Sequence, residues 1–344
     1  MISVICTVLN EGESIRALLE SLAAQTQSPD EIVVVDGGSR DNTVAILHEY
    51  AARLPLRVIS QPGANISAGR NRALTDARGD IIAITDAGVV LDADWLRQIT
   101  LPFSDAAVNV VCGWFEADVR TVFEAALGAT TLPHLRDIDP HTFLPSSRSV
   151  AVRKAACKQV GGYPEWLDYC EDLIFDMRLK QVAGAFAFAP QAVAHFRPRP
   201  SLGAFYRQYY RYARGDGKAD LWRKRHAVRY VTYLVAAPAI IVLALLVHPA
   251  FWLLALAGAA VYLRTPYRRL PEMMRRLALS NLSRHGRPIG NGRPVGRPYA
   301  WGMAMVWVPV IRVVGDIAKM LGYPVGLAWR RRTQPPEWRV VSSA

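Results

Sequence analysis

The chain has 344 residues, 51% of them apolar and 20% charged, which is ample material for one large domain with an appendage or for two modest domains. Its charge is unevenly spread: residues 1–200 carry 18 Lys and Arg against 24 Asp and Glu, and residues 201–344 carry 23 against 5. The basic half calls for an anionic partner, and the uninterrupted apolar run within it favours membrane lipids over nucleic acid. Cys6, Cys112, Cys157 and Cys170 lack metal-ligand spacing and read as reduced thiols of a cytosolic compartment.

The opening Met1-Ile2-Ser3-Val4-Ile5-Cys6 has no basic n-region, so no signal peptide is expected and the front half is expected to stay in the cytosol. Residues 2–8 read as a buried strand, and Ile15, Leu18, Leu19 and Leu22 then make the stripe of an amphipathic helix. A second strand over 31–35 leads through Asp36-Gly37-Gly38-Ser39 to a helix striped by Ile46, Leu47, Tyr50 and Leu54. A third strand is predicted over 56–60 and a helix over 65–77, stopped by Gly79. The next strand, Ile81-Ile82-Ala83-Ile84, runs without alternation into Thr85-Asp86-Ala87-Gly88. Such a strand is buried on both faces, and the alternation of strands and helices implies a mostly parallel sheet whose carboxyl edge receives Asp86.

Beyond Asp86 the pattern loosens. A short helix is expected at Trp95, Leu96 and Ile99, a strand over 108–115, a proline-bearing loop over 129–147 and a strand over 149–152. Residues 154–160 read as a helix closed by Gly161-Gly162, and 172–182 as another with Leu173, Met177 and Val182 inward. Short strands at 185–189 and 192–196 precede an aromatic-rich helix over 202–214. Residues 230–263 contain no Asp, Glu, Lys or Arg. As one helix they would extend roughly 51 Å, against about 30 Å of hydrocarbon, so a hairpin turning at His248-Pro249 is expected, with basic residues at both ends facing the cytosol. A buried helical hairpin of a soluble protein is the alternative. Residues 264–298, rich in Arg and Pro, read as a cytosolic loop on the membrane surface, and 299–344 as an interfacial or re-entrant helix with a basic tail.

Several separated motifs, in the expected chain order, make residues 1–215 resemble a family 2 glycosyltransferase of the GT-A fold, an α/β protein with a Rossmann-like mixed sheet. Residues 216–229 are then a basic juxtamembrane linker and 230–263 a transmembrane hairpin, the start of a C-terminal α-helical membrane region. Thr7-Val8-Leu9-Asn10-Glu11 resembles the strand end that contacts the nucleotide, and Asp36-Gly37-Gly38-Ser39 the stretch whose acid meets the base. Arg70-Asn71, ahead of Gly79-Asp80, stands where the family places basic and amide groups near the donor, and Asp86 is a further donor-binding candidate. Without the family, a strand-end acid such as Asp36 can bond a nucleobase edge, and a Gly-Gly turn clears the approach; a turn with no ligand has the same pattern.

The resemblance implies transfer of a sugar from a UDP- or GDP-linked donor, with Mg²⁺ or Mn²⁺ on the diphosphate. Asp86 is the candidate metal ligand, and His195, otherwise structural, a candidate second one. Where the family has Asp-x-Asp, this chain has Asp86-Ala87-Gly88, so one carboxylate is missing. One or two carboxylates with phosphates and waters still suffice for Mg²⁺. Glu171-Asp172 resembles the family's acidic pair, with Asp172 as the base for inverting transfer; capping of a helix is the other use of an acid there. Gln208-Tyr209-Tyr210-Arg211-Tyr212 resembles the Gln-x-x-Arg-Trp motif, in which Gln208, Arg211 and Tyr212 would serve acceptor and phosphate; a basic helix touching headgroups is the alternative. Tyr in place of Trp leaves processivity open.

Together these residues describe a multi-pass inner-membrane enzyme with a cytoplasmic catalytic domain. It would be an inverting transferase with a polyprenyl-phosphate or lipid-linked saccharide acceptor, serving cell-envelope polysaccharide or glycolipid synthesis. Other readings are a subunit of a processive polysaccharide synthase, a nucleotidyltransferase, whose basic Gly-rich first loop is absent here, and a non-catalytic nucleotide-sugar-binding scaffold.

Overall fold

Strands with no polar face and helices with one apolar stripe must pack in layers, and the first part of the chain does so. The structure, a computed structural model, describes residues 1–285 and 298–339, so the expected loop over 264–298 and the expected tail lie partly outside the described residues. In order come β1 (Ile2–Val8), α1 (Ser14–Ala23), β2 (Glu31–Asp36), α2 (Thr43–Ala51), β3 (Leu56–Ser60), α3 (Ile66–Asp76), β4 (Ile81–Ile84), β5 (Val89–Leu91), α4 (Trp95–Thr100) and β6 (Val110–Ala117). Then follow α5 (Val122–Thr131), β7 (Val150–Arg153), α6 (Lys154–Gln159), α7 (Glu171–Ala183), β8 (Ala187–Phe196) and α8 (Leu202–Ala219). The chain continues through α9 (Arg223–Val231), α10 (Ala237–Leu246), α11 (Trp252–His285) and α12 (Pro298–Thr333).

Contacts divide the chain into two compact units. The first, residues 1–116 and 135–196 with the stretch from Pro335, holds a mixed sheet of order β3-β2-β1-β4-β7-β6-β8-β5. β3, β2, β1 and β4 run parallel, and β7 is antiparallel to both β4 and β6. Alternate residues enter opposite layers: Val4, Cys6 and Val8 of β1 pack with α1, α2 and α4, whereas Ile5 joins Val33, Val35, Ile82 and Ile84 under α3, α6 and α7. Both faces are thus covered, as the unbroken apolar runs require.

Three local expectations change. The strands read at 185–189 and 192–196 are one, β8; Pro190 lies outside the stretch Ala194–Phe196 that pairs with β5. In α7 the buried residues are Glu171, Ile174, Phe175, Asp176 and Leu179; of the three expected inward, Val182 packs partly buried against the core, and Leu173 and Met177 do not join it. Charged residues are spread around this helix, so no apolar stripe marks a face; the inward Ile174, Phe175 and Leu179 do. Residues 264–285, expected to be loop, continue α11 as helix. Tyr267, Leu270, Met273, Met274 and Leu277 recur at helical spacing and pack in one cluster with Ala125, Ala126 and Ala129 of α5, despite Pro266 and Pro271.

The second unit, residues 117–134 and 197–334, is helical. It takes in α5 and all of α8, so the compact units part at other points than a linear partition at residue 215. Among the described residues one helix, Arg223–Leu246, is long and apolar enough to cross a membrane, by length and composition. That single helix does not support a multi-pass arrangement. It contains a π-helical turn, Thr232–Ala236, just before Pro238, whose missing N–H disturbs the ladder.

Glycines let α8 and α12 touch backbone to backbone. A Cβ at Gly326 would stand 2.1 Å from the Arg214 carbonyl oxygen, and one at Gly322 2.2 Å from that of Tyr210. Gly326→Ala should therefore force the helices apart and cost about 1–3 kcal/mol, a drop of several degrees in thermal midpoint. Gly258→Ala, whose Cβ meets nothing within 4 Å, should leave the midpoint unchanged or higher. Equal midpoints for the two variants would contradict the close crossing.

Candidate active site

The carboxyl ends of β2, β1 and β4 lie side by side, and their loops are sewn together. Asn10 adopts a left-handed backbone (φ 55°), its N–H donates to Ser39 Oγ at 2.8 Å, and its Oδ1 accepts from Arg40 N–H at 2.8 Å. The N–H groups of Glu11 and Gly12 both donate to Thr43 Oγ1 at 2.9 Å. The two stretches Thr7–Glu11 and Asp36–Thr43 thereby form one rim. Leu9 projects from it, exposed, while Thr7 packs against Gly69 of α3, where a Cβ would come within 2.9 Å. Asp36 is buried and accepts from Gly38 N–H and Ser39 N–H at 3.1 Å each. Its carboxylate therefore shapes the glycine turn, with Oδ2 taking both N–H groups and Oδ1, bonded by Ser39 alone, keeping a further lone pair. Gly37 brings backbone close: a Cβ there would sit 3.1 Å from the Ala64 carbonyl oxygen.

Helix α3 carries the central cation. Asn65 caps it, accepting from Ala68 N–H at 2.9 Å. One turn on, Arg70 is only 3% exposed, and its fork donates to Asp86 Oδ1 at 2.7 Å and to Glu171 Oε1 at 2.7 Å. Its guanidinium lies 5.1 Å from the centre of the Tyr163 ring, which is stacked on Phe175 at 4.0 Å. The same helix grips the segment that delivers Glu171. Asn71 Nδ2 donates to the Tyr163 carbonyl at 2.9 Å, and Asn71 Oδ1 accepts from Tyr163 N–H at 2.7 Å. Asn65 and Ser67 donate to the carbonyls of Glu165 and Leu167. Gly161 and Gly162 (φ 73° and 72°) make the turn beforehand.

Asp172, half-buried, follows Glu171 in the first turn of α7, and its Oδ1 accepts from Leu173 N–H at 2.8 Å. Asp86 and the Glu171-Asp172 pair, 85 residues apart for Glu171, are thus joined through one buried arginine. Burial works against the Arg70 charge, but Asp86, Tyr163, Glu171 and Asp172 more than offset it, so the proton is held more firmly than in free arginine. Burial, then the Asp172 charge, pushes Glu171 up to about 7 against the pull of Arg70. One turn further, buried Asp176 is also raised, first by burial and then by Asp172, and its Oδ2 has no hydrogen-bond partner among the described residues.

Asp176, Tyr163 and Arg148 are the neighbours that sequence reasoning missed. Arg148 Nε stands 3.9 Å from Asp86 Oδ2, its guanidinium 4.4 Å over the Phe196 ring. Only Asp176 had a signal, its i+4 spacing from Asp172. His195 lies on β8 and bonds Asp92 Oδ1 at 2.7 Å. No three His, Cys, Asp or Glu side chains converge among the described residues. At Gly88, where a second acid is expected, a Cβ would meet nothing within 4 Å. Gln208, Arg211 and Tyr212 share α8 in the helical unit, where Gln208 Nε2 donates to Tyr212 OH at 2.8 Å.

The mixed sheet thus carries acids and a buried arginine at the carboxyl edge of its parallel half, and likeness to known proteins says to which class this arrangement belongs. The model of glycosyl transferase family 2 matches residues 3–154, and that of glycosyl transferase family group 2 matches residues 81–268, more than half of the chain. The chain belongs to this family and is a glycosyltransferase. It is 39% identical over 87 residues to the uncharacterized glycosyltransferase YibD of Escherichia coli, a match spanning 25% of either chain. To the succinoglycan biosynthesis protein ExoA of Rhizobium meliloti it is 28% identical over 248 residues, covering 68% of this chain and 75% of ExoA. The mannosyltransferase PcManGT from Pyrobaculum calidifontis, solved with GDP-Man and Mn²⁺, superposes with a TM-score of 0.53 at 19% identity. That match covers 97% of this chain and 87% of PcManGT, and it shows the GT-A fold.

The raised Glu171 has a consequence for stability. A carboxyl that is protonated more readily when folded lends stability fully below its ordinary value of 4.5, and loses it as pH rises through about 7. The thermal midpoint of Glu171→Gln should therefore fall less than that of the wild type between pH 4.5 and 7. Parallel curves would mean that Glu171 titrates like a solvated acid.

Proposed function

We propose that the chain transfers a sugar, with inversion, from a nucleotide-diphosphate sugar to a lipid-linked or membrane-borne acceptor on the cytosolic face of a membrane. The observation that carries this reading is the Arg70 fork, which links the strand-edge acid Asp86 to the acidic pair Glu171-Asp172. Two roles needed for displacement at a sugar carbon are thereby brought within one site. The donor would lie along the rim of Thr7, Leu9, Asn10 and Glu11, with its base against Asp36, Gly37 and Ser39 and its diphosphate towards Asp86.

Asp172 acts as the base: it takes the acceptor hydroxyl proton as that oxygen attacks the anomeric carbon, and the bond to the diphosphate breaks on the opposite side. Arg70 holds Glu171 and Asp86 apart in fixed positions, and Arg148, beside Asp86, supplies positive charge where negative charge develops on the leaving group. Asp86 is one carboxylate with one oxygen engaged by Arg70, a donor set that fits Mg²⁺ or Mn²⁺ held chiefly by the diphosphate. Such an ion would neutralise the departing diphosphate. The ligands with which PcManGT was solved, GDP-Man and Mn²⁺, are in keeping with this.

The acceptor side rests on the charge pattern and on the one apolar helix: a basic half beside exposed Leu234, Leu245 and Leu246 suits a lipid carrying phosphate. Arg211, with Gln208 and Tyr212, is assigned to acceptor phosphate. The relation to ExoA supports a place in envelope polysaccharide synthesis.

The test pairs two variants, with nucleotide binding measured by calorimetry after a thermal-shift screen of UDP, GDP, CDP and dTDP. Asp172→Asn should lower transfer by about 100-fold or more while nucleotide affinity stays within about twofold. Asp36→Ala should weaken nucleotide binding about tenfold or more. An active Asp172→Asn enzyme removes Asp172 from the mechanism, and unchanged affinity in Asp36→Ala puts the base elsewhere.

A further inference from the structure

Within the helical unit, a polar cluster is built on residues that the transfer reading does not use, and it meets the Gln208–Tyr212 stretch only where Lys319 rests on Tyr209. Asp316 of α12 accepts from Arg229 Nε at 2.7 Å on Oδ1 and from Tyr262 OH at 2.5 Å on Oδ2. Tyr233 OH lies 3.3 Å from that same Oδ2 and 2.9 Å from Tyr262 OH. The carboxylate is therefore occupied by one cation and two phenols. Tyr233 reaches it from the π-helical turn Thr232–Ala236, a distortion that recurs at functional sites.

Two more cations flank Asp316 on the same face of α12, Arg312 one turn before it and Lys319 one turn after. Both rest on aromatic rings. The Arg312 guanidinium is 4.5 Å from the centre of Tyr262, and the Lys319 ammonium is 5.0 Å from that of Tyr209. Arg312 Nε is buried with no hydrogen-bond partner among the described residues. Lys319 is within electrostatic reach of Arg229, Asp316, Arg312 and Asp216. Asp216 is itself bonded by buried His226 at 3.2 Å, and His226 is stacked on Tyr323 at 3.7 Å. Three basic side chains, Arg229, Arg312 and Lys319, thus face two carboxylates that already have partners. An arginine nitrogen removed from water without an acceptor is costly, and an anion is what completes it.

We propose that Arg312 and Lys319 bind the phosphate of a lipid headgroup at the foot of the apolar helix Arg223–Leu246. The chemistry names phosphate: a planar guanidinium with an unfilled donor and an ammonium lie one turn to either side of Asp316, while the two phenols spend their protons within the cluster. The position names a lipid. Tyr233 opens directly onto Leu234 and Val235, which are 64% and 59% exposed, and the exposed apolar face runs on to Leu246, so an acyl or isoprenyl tail has a surface to follow. The inference rests on the membrane-associated reading of the function and deepens it by naming where a lipid phosphate is held.

The test uses the full chain in phosphatidylcholine nanodiscs, without any sugar donor, and follows the binding of a long-chain isoprenyl monophosphate and of phosphatidic acid by native mass spectrometry. At least one of them should bind saturably, Arg312→Gln and Lys319→Gln should each weaken binding tenfold or more, and Arg312→Lys should keep most of it. Nucleotide binding by the same variants should equal that of the wild type, which shows that they fold. Preference for the isoprenyl lipid identifies the acceptor carrier, and equal binding of both identifies a general phospholipid site. Wild-type lipid binding in both Gln variants overturns the proposal, as does inorganic phosphate at millimolar concentration displacing the lipid fully. Loss of transfer chemistry in Asp172→Asn, or its absence altogether, bears on the transfer reading and leaves this outcome unaffected.

Discussion

The site depends on a buried guanidinium shared by two carboxylates. Arg70 is nearly sealed from water, and a charge in that position is tolerable only because Asp86 and Glu171 each meet one arm of its fork at 2.7 Å. The three groups come from different parts of the first unit: a helix, the end of a parallel strand and the start of a helix 85 residues beyond Asp86. Their mutual pairing fixes where α7 begins, and hence where Asp172 lies relative to the sheet edge. Asn65, Ser67 and Asn71 repeat the same task with neutral hydrogen bonds to the segment before α7. One helix face thus positions the acids, and those acids in turn make its arginine affordable.

The sheet's change of direction explains why the site lies where it does. From β3 to β4 the strands are parallel, so their carboxyl ends and loops gather on one edge. β7 then runs antiparallel to β4 and brings Arg148 back to that edge, where the Thr85 hydroxyl donates to its carbonyl at 3.0 Å. Opposite charges are therefore delivered by strands of opposite direction.

Much of this was legible in the residues. The alternation of apolar strands with striped helices set the parallel half of the sheet, and Asp86, Asp36 and Glu171-Asp172 stood out as acids at strand ends or after glycine turns. Less legible was what three-dimensional proximity alone supplies. Arg70 could be placed near the donor by resemblance, but not as the link between Asp86 and Glu171, because nothing in the chain records which acids an arginine will meet. Asp176 drew no notice because charged residues are spread around its helix, and no apolar stripe shows which face is buried. The run over 264–285 carries helical spacing beneath a loop-like content of Arg and Pro, and composition masked the period. The single strand-edge carboxylate, by contrast, was evident at Gly88, and the open space there shows that no neighbour took the missing acid's place.

The most direct measurement is a double-mutant cycle on kcat/KM for sugar transfer with Arg70→Met, Glu171→Gln and the two combined. If the arginine acts by holding Glu171, the combined variant should be no worse than Arg70→Met alone, a coupling of at least tenfold, or about 1.4 kcal/mol. Losses that simply multiply would mean that the two residues act independently, and the shared guanidinium would no longer account for the site.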